Sequence, residues 1–507
     1  MPNEEDQTRG SRVGRRRFLT GAAAAAATAP AVLAAPDALA ATSGDSRSSG
    51  RTPGQWPQTD VSFPIGPFEK YSGNPILRPD PAHDWESAFL YNPCATVVGG
   101  RVAMLYRAQN ATKVSSIGLA WSRDGYTFER RPEPVLVPTE PYETPGGCED
   151  PRVVHVGDTY YLTYTGYDGK HALLCLATSK DLVNWTKHGP LFPDFRDFGH
   201  LSRAPWSKSG AILATPIDGW YWMYFGESWI YWARSRDLIA WEIADTGPTP
   251  PGPVARVDDV TFSPTTARYV RLLGVTPVTA YGYSVYEMEV RNGASGANLA
   301  RGKSATASSQ SLPATNAVDG DYSTRWAVSA GDRGRADSWL SVDLGQTTTV
   351  DRVAVYWEAA TALVYRVQTS SDGTRWTDVA TYDVSTQDDG VVARPVFDFE
   401  DQRLEPGPPP ILTRDGKILL VYNGQTTGAG GFAKNSYSSG QMLIDPANPK
   451  VALARLERPF IAPSTGDEQN GQVNNVVFSE GLVEFRDTYF LYFGMADSVL
   501  GVATWKP

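Results

Sequence analysis

The sequence is short of cysteine, histidine, basic charge and long apolar runs, and each shortage removes a class of protein. Only three of its 507 residues are cysteines and five are histidines. Cys94, Cys148 and Cys175 are odd in number and form no CxxC pair. That excludes a disulfide framework and a cysteine-built zinc site, and leaves small buried packing residues. His83, His155, His171, His188 and His200 show no ligand spacing such as HExxH, which argues against a metal-dependent hydrolase and predicts no catalytic cofactor. After residue 40 no stretch is apolar and long enough to span a bilayer, so no membrane span is expected. Lys and Arg total 46 against 56 Asp and Glu, for a net charge of -10. An acidic surface of this kind argues against nucleic acid as a partner.

The first 40 residues read as an address. Arg15, Arg16 and Arg17 precede Phe18-Leu19, an alanine-rich run and the small-residue site Ala38-Leu39-Ala40. This is the pattern of a twin-arginine export signal, followed by a flexible linker over 41–65, and it places the mature protein in the periplasm or outside the cell. Folding before export in a reducing compartment is compatible with free thiols.

The rest of the chain repeats. Tyr106, Tyr164 and Tyr224 end aromatic strands spaced by about 60 residues. A second register keeps the same period: Leu119-Ala120-x-Ser122-x-Asp124, Leu176-Ala177-x-Ser179-x-Asp181 and Trp232-Ala233-x-Ser235-x-Asp237. Further aromatic strands end at Tyr422 and Tyr492, and Leu500–Trp505 reads as the closing strand. A unit of this size with about four short strands and Asp/Gly turns is a propeller blade, and the strand count gives a five-bladed β-propeller.

Between Tyr224 and Tyr422 the period fails, which demands an insertion bounded by Thr246–Pro253 and Thr386–Gly390. The domain reading is propeller over 66–247, insert over 248–390 and propeller again over 391–507. Within the insert lie Asn316-Ala-Val-Asp319-Gly-Asp321-Tyr-Ser-Thr324-Arg325-Trp326, Leu340-Ser-Val-Asp343-Leu344-Gly345 and Ser370-Ser-Asp372-Gly373. Ala267-Arg-Tyr-Val-Arg-Leu272 and Tyr286-Glu287-Met-Glu-Val290 precede them. The insert resembles the discoidin, or coagulation-factor type C, β-sandwich used by family 32 carbohydrate-binding modules. Strands that usually close such a module come first here, so the sandwich reads as circularly permuted. The resemblance also implies a structural calcium held by Asp319, Thr324 and Glu287. The plain alternative is that Asp319 and Thr324 organise a turn.

Three carboxylates stand out in the repeat. Asp150 precedes Pro151, Glu227 ends an aromatic strand, and Glu405 opens Glu-Pro-Gly-Pro-Pro-Pro. Carboxyl groups in different environments are what glycoside cleavage needs, one to protonate the leaving oxygen and one to activate water. Asn92, Arg107, Arg152, Lys208, Asn423, Glu468 and Asp497 stand where they could grip sugar hydroxyls, and Trp85, Trp206 and Tyr224 could stack on a sugar face.

Asn74-Pro-Ile-Leu77, Tyr91-Asn92-Pro93, Met104-Leu-Tyr-Arg107-Ala, Gly147-Cys-Glu-Asp150-Pro-Arg152, Ser207-Lys208-Ser-Gly210, Glu405-Pro-Gly-Pro-Pro-Pro410 and Gly494-Met-Ala-Asp497 resemble glycoside hydrolase family 130. That resemblance implies action on β-mannosides with inversion, Asp150 as general acid passing its proton through a sugar hydroxyl, and Glu227 and Glu405 holding water. Two carboxylates would repel a phosphate dianion, and an exported enzyme gains little from conserving bond energy as a sugar phosphate. The expected function is therefore an exported, inverting, exo-acting β-mannoside hydrolase with an oligosaccharide substrate. The alternatives are a β-mannoside phosphorylase, in which Arg196, Arg203 and Lys208 would gather phosphate, a propeller retuned to an arabinoside or galactoside, and a propeller that binds carbohydrate without cleaving it.

Overall fold

The computed structural model describes residues 61–195, 197, 205–244, 254, 256–384 and 390–507. The expected export segment lies outside them, as do Arg196, His200 and Arg203. A compact unit runs from Trp56 to Pro507. It is all-β: the α-helix among the described residues, Gly466–Gln469, is a single turn. No helix in the described residues is long and apolar enough to cross a membrane.

Outside the insert the strands form five antiparallel groups. The first runs Phe89–Val98, Arg101–Gln109, Ser115–Ser122 and Phe128–Arg130. The second is Gly147–Val156, Thr159–Tyr167, Ala172–Ser179 and Trp185–Pro190, tied to the first by one parallel pair, Ser115 and Gly147. The third is Ala211–Ile212, Tyr221–Phe225, Ile230–Ser235 and Trp241–Ile243. The fourth is Arg403–Pro406, Ile418–Gln425, Tyr437–Ile444 and Ala452–Arg455. In the fifth, Val477–Phe485, Thr488–Met495 and Val499–Trp505 are completed by the early strand Glu69–Lys70.

Alternation along each strand gives every group two apolar faces, which must be covered on both sides. Leu105 and Leu119 of the first group pack with Leu162 and Tyr164 of the second. Val154 and Leu174 of the second pack with Met223 and Phe225 of the third. Tyr224 and Trp232 meet Leu420 and Tyr422 of the fourth. Leu419 and Val421 meet Leu491 and Phe493 of the fifth. Tyr492 and Leu500 return to Met104 and Tyr106 of the first.

The two sequence registers have physical causes. Ser122 Oγ accepts from Gly125 N–H while Asp124 Oδ1 accepts from Tyr126 and Thr127. Ser179 with Asp181 and Ser235 with Asp237 repeat that turn, as their sequence spacing predicts. The strand-end tyrosines are buried with their hydroxyls satisfied: Tyr106 donates to Glu86 and Tyr164 to Glu143, each at 2.8 Å. Cys94, Cys148 and Cys175 are free and buried.

The insert forms its own seven-stranded sheet system between Arg256 and Asp383, built on two long strands, Arg256–Pro277 and Trp339–Trp357. Val270, Met288, Trp326, Val342, Trp357 and Tyr365 are in its separate core. The chain leaves the third group after Trp241–Ile243 and comes back at Val391–Ala393, and both of these strands pair with Ile230–Ser235.

Candidate active site

Asn92, Asp150 and Glu480 occupy equivalent points of three groups. In each, the first strand of the group slips register, between Tyr91 and Cys94, between Glu149 and Arg152, and between Ser479 and Gly481. A bulge of this kind re-aims the side chain it carries. Asn92 and Asp150 also take positive φ, 53° and 52°, as do Ser209 at 57° and Asp497 at 49°. Asn and Asp tolerate that region better than most residues, yet such backbone persists only where its surroundings enforce it. Here the bulges and the following prolines, Pro93 and Pro151, do so.

The result is a polar cluster into which all five groups contribute. Asp150 Oδ1 accepts from Asn92 Nδ2 and from Arg107 Nη1, both at 2.8 Å, and its Oδ2 lies 3.1 Å from Lys208 Nζ. Arg107 continues to Glu149 at 2.5 Å and lies over the Tyr91 ring at 4.5 Å. Glu405 accepts from Ser209 Oγ at 3.0 Å and from the Tyr437 hydroxyl at 3.4 Å. Glu227 is held by Arg403 Nη1 at 2.7 Å and by the Trp206 indole N–H. Its backbone N–H, with that of Ser228, donates to Asp197.

Six carboxyl groups, Glu149, Asp150, Glu227, Glu405, Glu480 and Asp497, thus surround four cations, Arg107, Arg152, Lys208 and Arg403. Burial raises the proton affinity of every one of the carboxyls that lacks enough cations. For Asp150 burial also works upward, but Lys208, Arg107 and Arg152 outweigh it and hold the carboxyl well below its usual range. Glu405 is pushed up to about 8, by burial first and then by the neighbouring charge of Glu227. Glu480 reaches about 8 by burial, with Asp150 and Glu405 adding to it. Asp497, partly open to solvent, is raised to about 6 by desolvation and by Asp150. Lys208 keeps its proton because Asp150, Glu227, Glu149 and Glu405 together exceed the cost of its burial. The site therefore holds one firmly ionised carboxylate next to carboxyls that retain protons near neutrality.

The structure does not bring every expected residue here. Asn423 is fully buried and spends its amide on Ser479 and Ser439. Glu468 closes a capping box with Thr465 at the start of the single helical turn and pairs with Lys70 at 2.7 Å. Arg152 turns away from solvent. It donates to the carbonyls of Pro406 at 2.7 Å, Gly407 at 2.8 Å and Asp150 at 3.3 Å, and pairs with Glu480 at 2.8 Å. Tyr224 lies in the core with its hydroxyl on the Pro449 carbonyl, and Trp85 stacks on Tyr106, whereas Trp206 does stand at Glu227. Glu480 and Arg403 were not singled out from the sequence. The bulge position shared with Asn92 and Asp150 is the signal that finds Glu480, and Arg403 is two residues before Glu405.

Two groups outside this cluster bear on metal binding. In the insert, Gly320 N–H donates to Glu287 Oε2 at 3.1 Å and Thr324 Oγ1 to Asp319 Oδ2 at 2.7 Å. Glu287 Oε1 is buried without a hydrogen-bond partner among the described residues, and burial, with Asp319 and Glu289 adding to it, raises that carboxyl to about 7. Hard oxygen donors with an unspent buried carboxylate oxygen fit a calcium ion. Asp80, His83 and Glu86 also bring ligand atoms within 4.8 Å of one another. Arg130, 3.0 Å from Glu86, and the Tyr106 hydroxyl already satisfy that carboxylate, so the cluster reads as a brace beneath the first group.

A family model described as beta-1,4-mannooligosaccharide phosphorylase matches residues 68–263 and 360–507, and one for the F5/8 type C domain matches 303–400. A beta-1,2-mannobiose phosphorylase of a Thermoanaerobacter species is 24% identical over 86% of this chain and 95% of its own. The crystal structure of a putative glycoside hydrolase from Bacteroides ovatus is 27% identical and covers 87% of this chain and 97% of its own, with a TM-score of 0.54. Another solved structure, titled as showing that the family of mannoside phosphorylases contains glycoside hydrolases targeting β-1,2 mannosidic linkages in Candida mannan, is 25% identical. It covers 89% of this chain and 96% of its own, with a TM-score of 0.55.

Proposed function

The chain belongs to glycoside hydrolase family 130, and from that premise we propose that it is an inverting β-mannoside phosphorylase. The expectation of hydrolysis is corrected by the relatives, of which the Thermoanaerobacter protein is a phosphorylase and the matching family model is described as one. The electrostatic argument for hydrolysis also fails at a definite point, because it took both glutamates as charged. Glu405, raised to about 8, keeps its proton at neutral pH and can donate to a phosphate oxygen. Glu227 is offset by Arg403.

The observation that carries the proposal is the pair of cations, Lys208 and Arg403, whose charges both act on Glu405, with Lys208 3.1 Å from Asp150 and Arg403 2.7 Å from Glu227. In the proposed reaction a phosphate oxygen attacks the anomeric carbon of a terminal mannose as the bond to the glycosidic oxygen breaks. The departing oxygen takes a proton that originates on Asp150 and passes through a sugar hydroxyl. Inversion of a β-mannoside gives the α-anomer of mannose 1-phosphate. Phosphate arriving beside Lys208 draws on its charge and raises the proton affinity of Asp150, so the acid is armed when the nucleophile is present. Arg107, Asn92 and Asp497 would meet sugar hydroxyls and Trp206 a sugar face.

Purified protein given β-1,2-mannobiose is expected to release mannose 1-phosphate with phosphate present and nothing without it. Free mannose formed without phosphate overturns the proposal. No product in either buffer would favour a carbohydrate-binding protein without catalysis.

We read the five packed groups as a five-bladed propeller, split by an insert over about 248–390 whose strand order is that of a permuted discoidin sandwich. Calcium would be held there by Glu287, Asp319 and Thr324. Chelation is expected to lower the melting temperature of the insert, and calcium in excess to restore it. An unchanged melting curve, with no calcium found in the purified protein, would leave Asp319 and Thr324 as turn residues. We also read 1–40 as a twin-arginine signal directing the chain to the periplasm or beyond, which N-terminal sequencing of the mature protein tests.

A further inference from the structure

Glu480 is fully buried, belongs to the fifth group and has no part in the chemistry above. Its Oε1 is shared by two donors, Asn92 Nδ2 at 3.1 Å and Arg152 Nη2 at 2.8 Å, while Oε2 has no hydrogen-bond partner among the described residues. Both donors lead to Asp150. Asn92 uses the same Nδ2 to hold Asp150 Oδ1, and Arg152 holds the Asp150 carbonyl. Arg152 also fixes the carbonyls of Pro406 and Gly407, which follow Glu405 directly.

We propose that Glu480 is a positioning residue that sets Asp150 through Asn92 and sets the Glu405 turn through Arg152. One carboxylate of the fifth group thereby fixes the acid carried by the second group against the carboxyl carried by the fourth. An orphaned buried oxygen is costly and is kept only where geometry forbids a partner. Here the bulge at Ser479 and Gly481 has turned the carboxyl towards its two donors. Charged or titratable groups facing it are Arg152 and Asp150 from the second group, Lys208 from the third, Glu405 from the fourth and Cys94 from the first. The inference rests on Asp150 being the acid and is indifferent to which nucleophile attacks.

The test compares the full chain with Glu480→Gln and Glu480→Asp, reading kcat and KM on β-1,2-mannobiose with phosphate across pH, alongside crystal structures. Glutamine keeps the shape and removes the ionisable proton, and with it the charge that Glu480 takes on above about pH 8. Its kcat is expected to fall about 10- to 100-fold with KM within a few-fold, because a small misplacement of the reacting groups costs rate rather than binding. The alkaline limb of the profile, which follows loss of the proton that Asp150 must deliver, should move to lower pH by up to about one unit, since the charge that Glu480 takes on above about pH 8, which favours the protonated form of Asp150, is gone. Glu480→Asp restores an ionisable carboxyl, so it should return the alkaline limb towards its wild-type position while the shortened arm keeps kcat low. Wild-type kcat and profile in Glu480→Gln would overturn the inference. So would a loss of activity with an unmoved profile and a lowered melting temperature, which marks a merely structural role. A wild type without turnover defeats the phosphorylase reading instead. In that case Asn92 and Asp150 unmoved in the crystal structure of Glu480→Gln would still overturn this one.

Discussion

Asp150→Asn is expected to lower kcat by about 100- to 10,000-fold, the range for losing a positioned general acid, while KM for the mannoside changes only a few-fold. Asparagine has the same outline and its oxygen can still accept from Arg107 and Asn92. It cannot carry the proton, and its amide would point donor against donor at Lys208, now 3.1 Å from Asp150 Oδ2. Three cations, Lys208, Arg107 and Arg152, also lose the anion that they surround. The measurement is kcat at saturating mannoside and phosphate, together with circular dichroism to show that the variant is folded. A folded variant within tenfold of wild type would remove Asp150 from the chemistry.

Arg152→Ala should be a severely destabilising change, costing about 3–5 kcal/mol, because several buried acceptors lose their donor at once, each at about 1–3 kcal/mol before any relaxation. The side chain is 1% exposed and Glu480 beside it 0%, so neither solvent nor counter-ion can compensate. Truncation leaves the buried Glu480 carboxyl without its guanidinium partner and frees three backbone carbonyls, those of Asp150, Pro406 and Gly407. Denaturant unfolding checks this, and a loss under 1 kcal/mol would show that water replaces the guanidinium. Arg152→Lys would not rescue, because a single ammonium cannot span donors set in a planar fork.

Local chemistry made much of this legible from sequence. The Ser-x-Asp turns were readable because their hydrogen bonds join residues two and three apart, and the tyrosine register because each ring ends a buried strand. The insert announced itself as a break in a period. Asp150 was readable because a proline follows it, and Asn92 has the same neighbour. Glu480 sits at the same kind of bulge, but glycine follows it, and register against a partner strand is a property of two segments rather than one.

Glu468 shows the opposite failure. It was read as a possible sugar ligand, although Thr465-Gly-Asp-Glu468 is a capping box in plain view. Asn423 was misplaced because a polar residue inside an apolar strand suggests function, when its partners are Ser439 on the paired strand and Ser479 in the fifth group. The charge state of Glu405 was beyond sequence reasoning altogether. It depends on burial and on Glu227, a residue far away in the chain.

The attachment of the insert sets an order of assembly. Ile230–Ser235 must pair on one side with Trp241–Ile243, a few residues on, and at its other end with Val391–Ala393, which the whole insert separates from it. Closing so long a connection is entropically cheaper once the intervening chain is compact, because the span to be closed then shrinks to the distance between the ends of a folded body. The insert has its own core and needs nothing from the third group to form it. Early collapse of the insert would therefore ease closure of the third group, and the catalytic centre, to which none of the insert's described residues contributes, would mature after a module that lies outside it.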